Sequence, residues 1–147
     1  MKHNKKAGFT LIEILLSLAL IALMAGMLVP AYHMLQTRND LDIAAVLTAQ
    51  TLRRAQTLSR AMDGDSSWGV YVEEESVTLF KGASYDDRDS DFDEVSNISS
   101  ALSLSGTQEF VYAKLSGIPQ NTGTLTLTLN ENETRNITIN VKGTITY

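Results

Sequence analysis

The sequence predicts an α+β protein in which one long N-terminal α-helix leads into an antiparallel β-sheet head. Three observations carry that expectation. An apolar run from Phe9 to Val29 follows a short basic leader. A stripe of apolar residues at three- and four-residue steps continues from Leu41 to Met62. Beyond Asp63 the hydrophobic pattern changes to a period of two, the mark of sheets with one buried and one wet face.

The leader and apolar run set the topology. Lys2, His3, Lys5 and Lys6 precede the run, and Arg38 is the first basic residue after it. The bias of cytoplasmic segments toward lysine and arginine places the amino terminus inside and the chain after about Tyr32 outside. The 21 positions from Phe9 to Val29 rise about 31 Å as a helix, enough for a hydrocarbon core of roughly 30 Å. One carboxylate, Glu13, stands at the mouth of this segment. A charge at the centre of a membrane helix costs roughly 2.5–3.5 kcal/mol on insertion scales and less near an end, so Glu13 needs a reason.

A secretory signal, a lipoprotein anchor and a plain membrane anchor each leave part of this segment unexplained. A secretory signal also joins basic and apolar regions, but Glu13 interrupts the apolar part early and Ala22 to Pro30 offers no A-x-A cleavage site. The chain has no cysteine, which excludes a lipoprotein anchor. A plain transmembrane anchor gives no reason for Gly8 before Phe9. Thr10 and Glu13 have the T-x-x-E spacing of a capping box, which gives Glu13 a purely local use.

The hexapeptide Gly8-Phe9-Thr10-Leu11-Ile12-Glu13, with its basic leader and with Pro30 downstream, resembles the class III signal of type IV prepilins and pseudopilins. The resemblance covers roughly residues 1–32. It implies cleavage between Gly8 and Phe9 by a prepilin peptidase, methylation of the new amino group on Phe9, and pairing of Glu13 with the terminal ammonium of a neighbouring subunit. A carboxylate in a low-dielectric bundle is tolerable when paired, and a free amino terminus is a suitable cation. Gly26 and Pro30 bracket the weakest stretch of the helix, since proline removes a backbone donor and glycine adds conformational freedom. Members of the family often lose helical form there on assembly; a simple kink is the competing expectation.

Past Pro30, Leu41, Ala45, Thr48, Leu52, Ala55, Leu58 and Met62 form one stripe, with Arg53, Arg54 and Arg60 off it. Asp63-Gly64 is a stop signal, so the helix is expected from about Thr10 to Met62. Trp68–Val72 and Val77–Phe80 flank Glu73–Ser76 as a hairpin. Ala101–Leu104 and Glu109–Ala113 are further strands. Thr124–Leu129 alternates three leucines with three threonines, and Ile137, Ile139 and Val141 alternate after a polar turn at Asn130–Glu133. Thr144–Tyr147 is a last short strand. The expected organisation is a leader at 1–8, a transmembrane or filament-core helix at 9–32, its amphipathic continuation at 33–62, and a β-rich extracytoplasmic head at 63–147. This pilin-like order is similar to that of the GspH/FimT-type minor pseudopilins, which carry a strand near Trp68-Gly69, an aromatic strand such as Glu109-Phe110-Val111, and closing strands around a glycine like Gly143.

Composition limits the function. The net charge is −5, and residues 63–147 hold 5 basic against 14 acidic side chains. So acidic a head repels a phosphate backbone, and no nucleic-acid partner is expected. Without cysteine there is no disulfide, zinc-thiolate site or thiol nucleophile. His3 and His33 are the only histidines, neither of them in the head, so no Ser-His-Asp arrangement can be built there. Trp68 and Phe110 read as core or sheet-face aromatics. Asn97, Asn132 and Asn136 open glycosylation sequons by letter, of a kind that arises readily in such a composition.

Asp86 to Glu94 is strongly acidic. Alternate Asp89, Asp91 and Asp93 are calcium candidates because calcium prefers oxygen ligands, but no glycine supplies the sharp turn and no glutamate closes a loop of the known type. The stretch therefore reads first as a solvated acidic loop. No cofactor is expected apart from that weak calcium candidate.

These residues together indicate a structural subunit, a minor pilin or pseudopilin of a type IV pilus, competence pilus or type II secretion pseudopilus. Its expected partners are the prepilin peptidase, other subunits and the inner membrane. It starts as a single-pass inner-membrane protein with its head outside and ends in an extracytoplasmic filament. It is not expected to be an enzyme. The alternative is a membrane-anchored β-domain that binds a ligand or metal without polymerising.

Overall fold

A computed structural model describes the backbone of residues 8–129 and 133–147, with the side chains of 27–38 outside that description. Helix α1 (Leu11–Ala61) is 51 residues long, within one residue of the expected bounds at each end. The chain divides into two compact units, 1–36 and 37–147. In the first, the described apolar side chains from Phe9 to Met24 are exposed on every side of the helix. Among the described residues, no helix is long and apolar enough to cross a membrane. Part of the span expected at 9–32, residues 27–32 with Pro30, lies outside the described side chains.

The second unit holds the rest of α1 and eight strands: β1 (Trp68–Glu73), β2 (Ser76–Lys81), β3 (Asp89–Asn97), β4 (Leu102–Gly106), β5 (Glu109–Tyr112), β6 (Gly123–Leu129), β7 (Glu133–Ile139) and β8 (Ile145–Thr146). They form two four-stranded antiparallel sheets, ordered β3-β2-β1-β5 and β4-β6-β7-β8. One core joins both sheets to the helix. Leu41, Ala45, Ala49, Leu52 and Ala55 come from α1, Val70, Leu79 and Phe110 from the first sheet, and Leu125, Leu127 and Ile137 from the second. Alanines at 44, 45, 49 and 55 are buried on the core side of the helix, and the buried Thr48 hydroxyl is satisfied by donating to the Ala44 carbonyl at 2.8 Å.

The predicted stripe departs from the core at its end. Met62 is exposed, because the helix has already stopped: Met62 itself takes the left-handed conformation (φ 57°), ahead of Gly64 (φ 61°). Ser59 occupies the buried place instead. Its hydroxyl accepts from the Trp68 amide at 2.9 Å and lies 3.1 Å from the Tyr112 carbonyl, tying the helix to the first strand and to β5.

Three strand expectations are corrected. The stretch 86–94 is not simply a loop: β3 begins at Asp89 and pairs along β2 from Ser76↔Asn97 to Leu79↔Glu94, slips, and resumes at Lys81↔Asp89. It forms the edge of its sheet and is exposed on both faces. Val141 lies beyond β7, in the turn toward β8, and is exposed. Of the expected turn at Asn130–Glu133, Glu133 already belongs to β7 and the other residues lie outside the description.

The outer face of the first sheet carries a small aromatic layer. Phe80 lies over Gly69, where a Cβ would stand 2.3 Å from the ring's Cζ. Tyr85 packs edge-on to Phe80 and stacks on Tyr71 with ring centres 4.0 Å apart. Segment 82–88 is held in that position by the Tyr85 amide, which donates to Glu109 at 2.9 Å.

Candidate functional site

Gly8, Phe9 and Thr10 precede the first helical turn and are exposed, so the Gly8–Phe9 peptide bond is open to solvent. Thr10 caps the helix: its hydroxyl accepts from the Glu13 amide at 3.4 Å, and its carbonyl accepts from Ile14 at 3.3 Å. This is half of the capping box expected from the spacing. The Glu13 carboxylate is exposed and makes no hydrogen bond or ion pair among the described residues. Among the described residues, the local use of Glu13 is through its backbone amide. The basic leader at 1–7 lies outside the described residues, as does the Pro30 side chain.

The calcium candidates sit on or beside the bulged part of β3. Asp93 accepts from the Arg88 guanidinium at 2.7 Å, and Arg88 also lies over the Tyr85 ring and donates to the Tyr85 carbonyl. The carboxylate of Asp93 holds the Arg88 guanidinium even further up than arginine's ordinary range. Asp89 accepts from the Asp91 amide rather than turning toward a shared centre. No three acidic or histidine side chains among the described residues stand close enough to share a metal ion. The structure thus gives Asp93 an arginine partner and does not bring the three aspartates together.

Several connections had no clear signal in the sequence. Arg54 forms a two-pronged pair with Glu94, both contacts 2.6 Å, and closes α1 onto the edge strand. Gln56 donates to the carbonyls of Gly117 and Gly143 at 3.0 and 3.2 Å, so two loops are clamped side by side on the last turns of the helix. Gly143 has φ 77°, and a Cβ there would meet the Gln56 amide at 2.3 Å.

An open Gly-Phe bond before an apolar helix, followed by antiparallel sheets packed on that helix's second half, is the pilin-like arrangement expected from the sequence. Residues 3–29 match the prokaryotic N-terminal methylation motif. The fold is similar to that of the minor pseudopilin EpsH from the type 2 secretion system of Vibrio cholerae, with a TM-score of 0.55 over 73% of this chain and 94% of that one. The two are 15% identical, so the likeness is one of fold. No curated protein matches the chain.

Proposed function

We propose that the chain is a structural subunit, a minor pilin or pseudopilin, made as a membrane-anchored precursor and built into a filament of the type IV pilus or type II secretion kind. The observation that carries this reading is the pairing of an open Gly8–Phe9 bond with an exposed Glu13 carboxylate that has no partner among the described residues, one helical turn away. Hydrolysis of that bond leaves a carboxylate on Gly8 and an ammonium on Phe9, and methylation of the amine keeps its positive charge. A carboxylate and an ammonium at the ends of apolar helices favour a packed array in which each charge meets its opposite. Apolar side chains exposed all round the first half of α1 support both lipid anchoring and burial among neighbouring helices.

The role is assembly rather than catalysis. The head presents sheets, loops and paired charges, and its acidic surface opposes binding to nucleic acid. The test is co-expression with a prepilin peptidase followed by intact-mass measurement. Loss of residues 1–8 with one methyl group on Phe9 is expected; an uncut chain, or a cut elsewhere, overturns the reading. Glu13→Ala is expected to leave cleavage intact while impairing incorporation into filaments. Normal incorporation would remove the pairing role of Glu13.

A further inference from the structure

Strand β3 leaves the register of its partner at Glu94. Between the pairs Leu79↔Glu94 and Lys81↔Asp89, β2 advances two residues while β3 takes five. Irregularities of this kind bend an edge strand and re-aim its side chains. A cleft of about 200 Å³ opens beside the bend, between α1 and strands β2 and β3. Sites for drug-sized molecules enclose roughly 300–1,000 Å³, so this cleft suits a smaller ligand.

Leu47 and the fully buried Leu79 give the cleft its apolar lining. Gln50 from the helix and Ser96 from the strand also line it, and neither side chain makes a hydrogen bond among the described residues. A carboxamide and a hydroxyl are therefore free to bond a guest. Arg54 and Glu94 stand in the same lining. Their two contacts of 2.6 Å use one N–H on each terminal guanidinium nitrogen and each carboxylate oxygen once. The remaining N–H groups of Arg54 and the second lone pairs of Glu94 have no partner among the described residues.

This adjacent pair of opposite charges selects among small ligands. An anion placed on Arg54 alone lies against the Glu94 carboxylate, and a cation placed on Glu94 lies against the Arg54 guanidinium. A zwitterion whose charges are one carbon apart meets both groups at once and closes an alternating ring of four charges. We propose that the cleft binds a free α-amino acid with an aliphatic side chain. Its carboxylate lies on Arg54, its ammonium on Glu94 and its side chain against Leu47 and Leu79. Gln50 and Ser96 complete the hydrogen bonds of the charged groups. Such a ligand has no net charge, so the acidic head does not repel it at a distance. The site lies within the 37–147 unit and goes beyond the assembly role, on which it does not depend.

The test is calorimetric titration of L-leucine into the full-length, unprocessed chain in detergent micelles, with detergent alone as the blank. Saturable binding is expected. N-acetyl-leucine lacks the ammonium and leucine amide lacks the carboxylate, and each is expected to bind about tenfold more weakly or worse. Glycine, which leaves the leucine lining uncovered, is expected to lose about tenfold as well. Arg54→Ala and Glu94→Ala are each expected to abolish saturation while the head still melts cooperatively, because an exposed pair adds little to stability. Ser96→Leu fills the cleft without removing either charge and is expected to abolish binding too. The absence of saturable leucine binding overturns the proposal. So does equal binding of either one-charge analogue or of glycine, or binding that survives any of the three substitutions. Because the precursor itself is titrated, the outcome is separate from that of cleavage after Gly8 and of filament assembly.

Discussion

The hydroxyl of Ser59, on the last full turn of α1, accepts a 2.9 Å hydrogen bond from the backbone amide of Trp68, the first residue of β1. Both residues are buried, and the same hydroxyl reaches the Tyr112 carbonyl of β5 at 3.1 Å. One small side chain therefore satisfies the backbone where the helix, the first strand and an edge strand of one sheet converge. Ser59→Ala removes a buried hydrogen bond to each of these two backbone groups, at a cost of about 0.5–1.5 kcal/mol per bond. Urea denaturation of the full chain in detergent should show a lower midpoint with an unchanged slope. Thr57→Ala, on the exposed face of the same helix, serves as the control and should change little.

Gly69→Ala is expected to destabilise by about 1–3 kcal/mol, because the new methyl group enters the space of the Phe80 ring. Shortening the neighbour should relieve it. In the double variant Gly69→Ala/Phe80→Leu, the loss should be smaller than the sum of the two single losses. Additive losses in thermal melts would show that Phe80 is not the obstacle.

The Arg54–Glu94 pair is well formed but exposed, with side chains 57% and 51% accessible. A double-mutant cycle with Arg54→Ala and Glu94→Ala should return a coupling of about 0.2–1 kcal/mol that shrinks as salt is added. A coupling that ignores salt would mean that the two side chains act through packing instead.

Tyr112 is fully buried, and its hydroxyl has no partner among the described residues. Burial pushes its phenol well above the usual tyrosine range, with Arg60 opposing weakly. A group with a raised folded pKa contributes stability that is present below the unfolded pKa, about 10 for tyrosine, and lost as pH rises above it. Stability should therefore fall above about pH 10, and one of the five tyrosines should resist ionisation at 295 nm until the head unfolds. Tyr112→Phe should flatten that dependence and be neutral or stabilising at pH 7, since it removes an unsatisfied polar atom.

Legibility followed the strength of the periodic signal. The leucines of β6 alternate with threonines and that strand fell where the period of two placed it, whereas β7 keeps the expected Ile137 and Ile139 but begins at Glu133 and ends short of Val141. The β1–β2 hairpin was legible for the same reason, although its two strands are buried on nearly every residue. Strand β3 was not legible, because an edge strand exposed on both faces needs no alternation. Its aspartates read as loop, and they suit an edge that must not pair with another chain. At the amino terminus, Gly8, Phe9 and Glu13 could be singled out in advance because their use depends on local order along the chain. Gln56 and Ser59 could not, since their partners lie 61 and 87 residues away for Gln56 and 53 away for Ser59.

The order of residues along the chain was enough to specify the N-terminal methylation motif, the long helix, the antiparallel β character of the head, and its excess of acidic side chains. All of these depend on composition or on the spacing of neighbours. Only folding in three dimensions divides the strands into two sheets sharing one helix, closes Arg54 onto Glu94, and clamps the loops around Gly117 and Gly143 on Gln56. Those outcomes depend on which distant residues meet across the core, and short-range periodicity carries no information about that pairing.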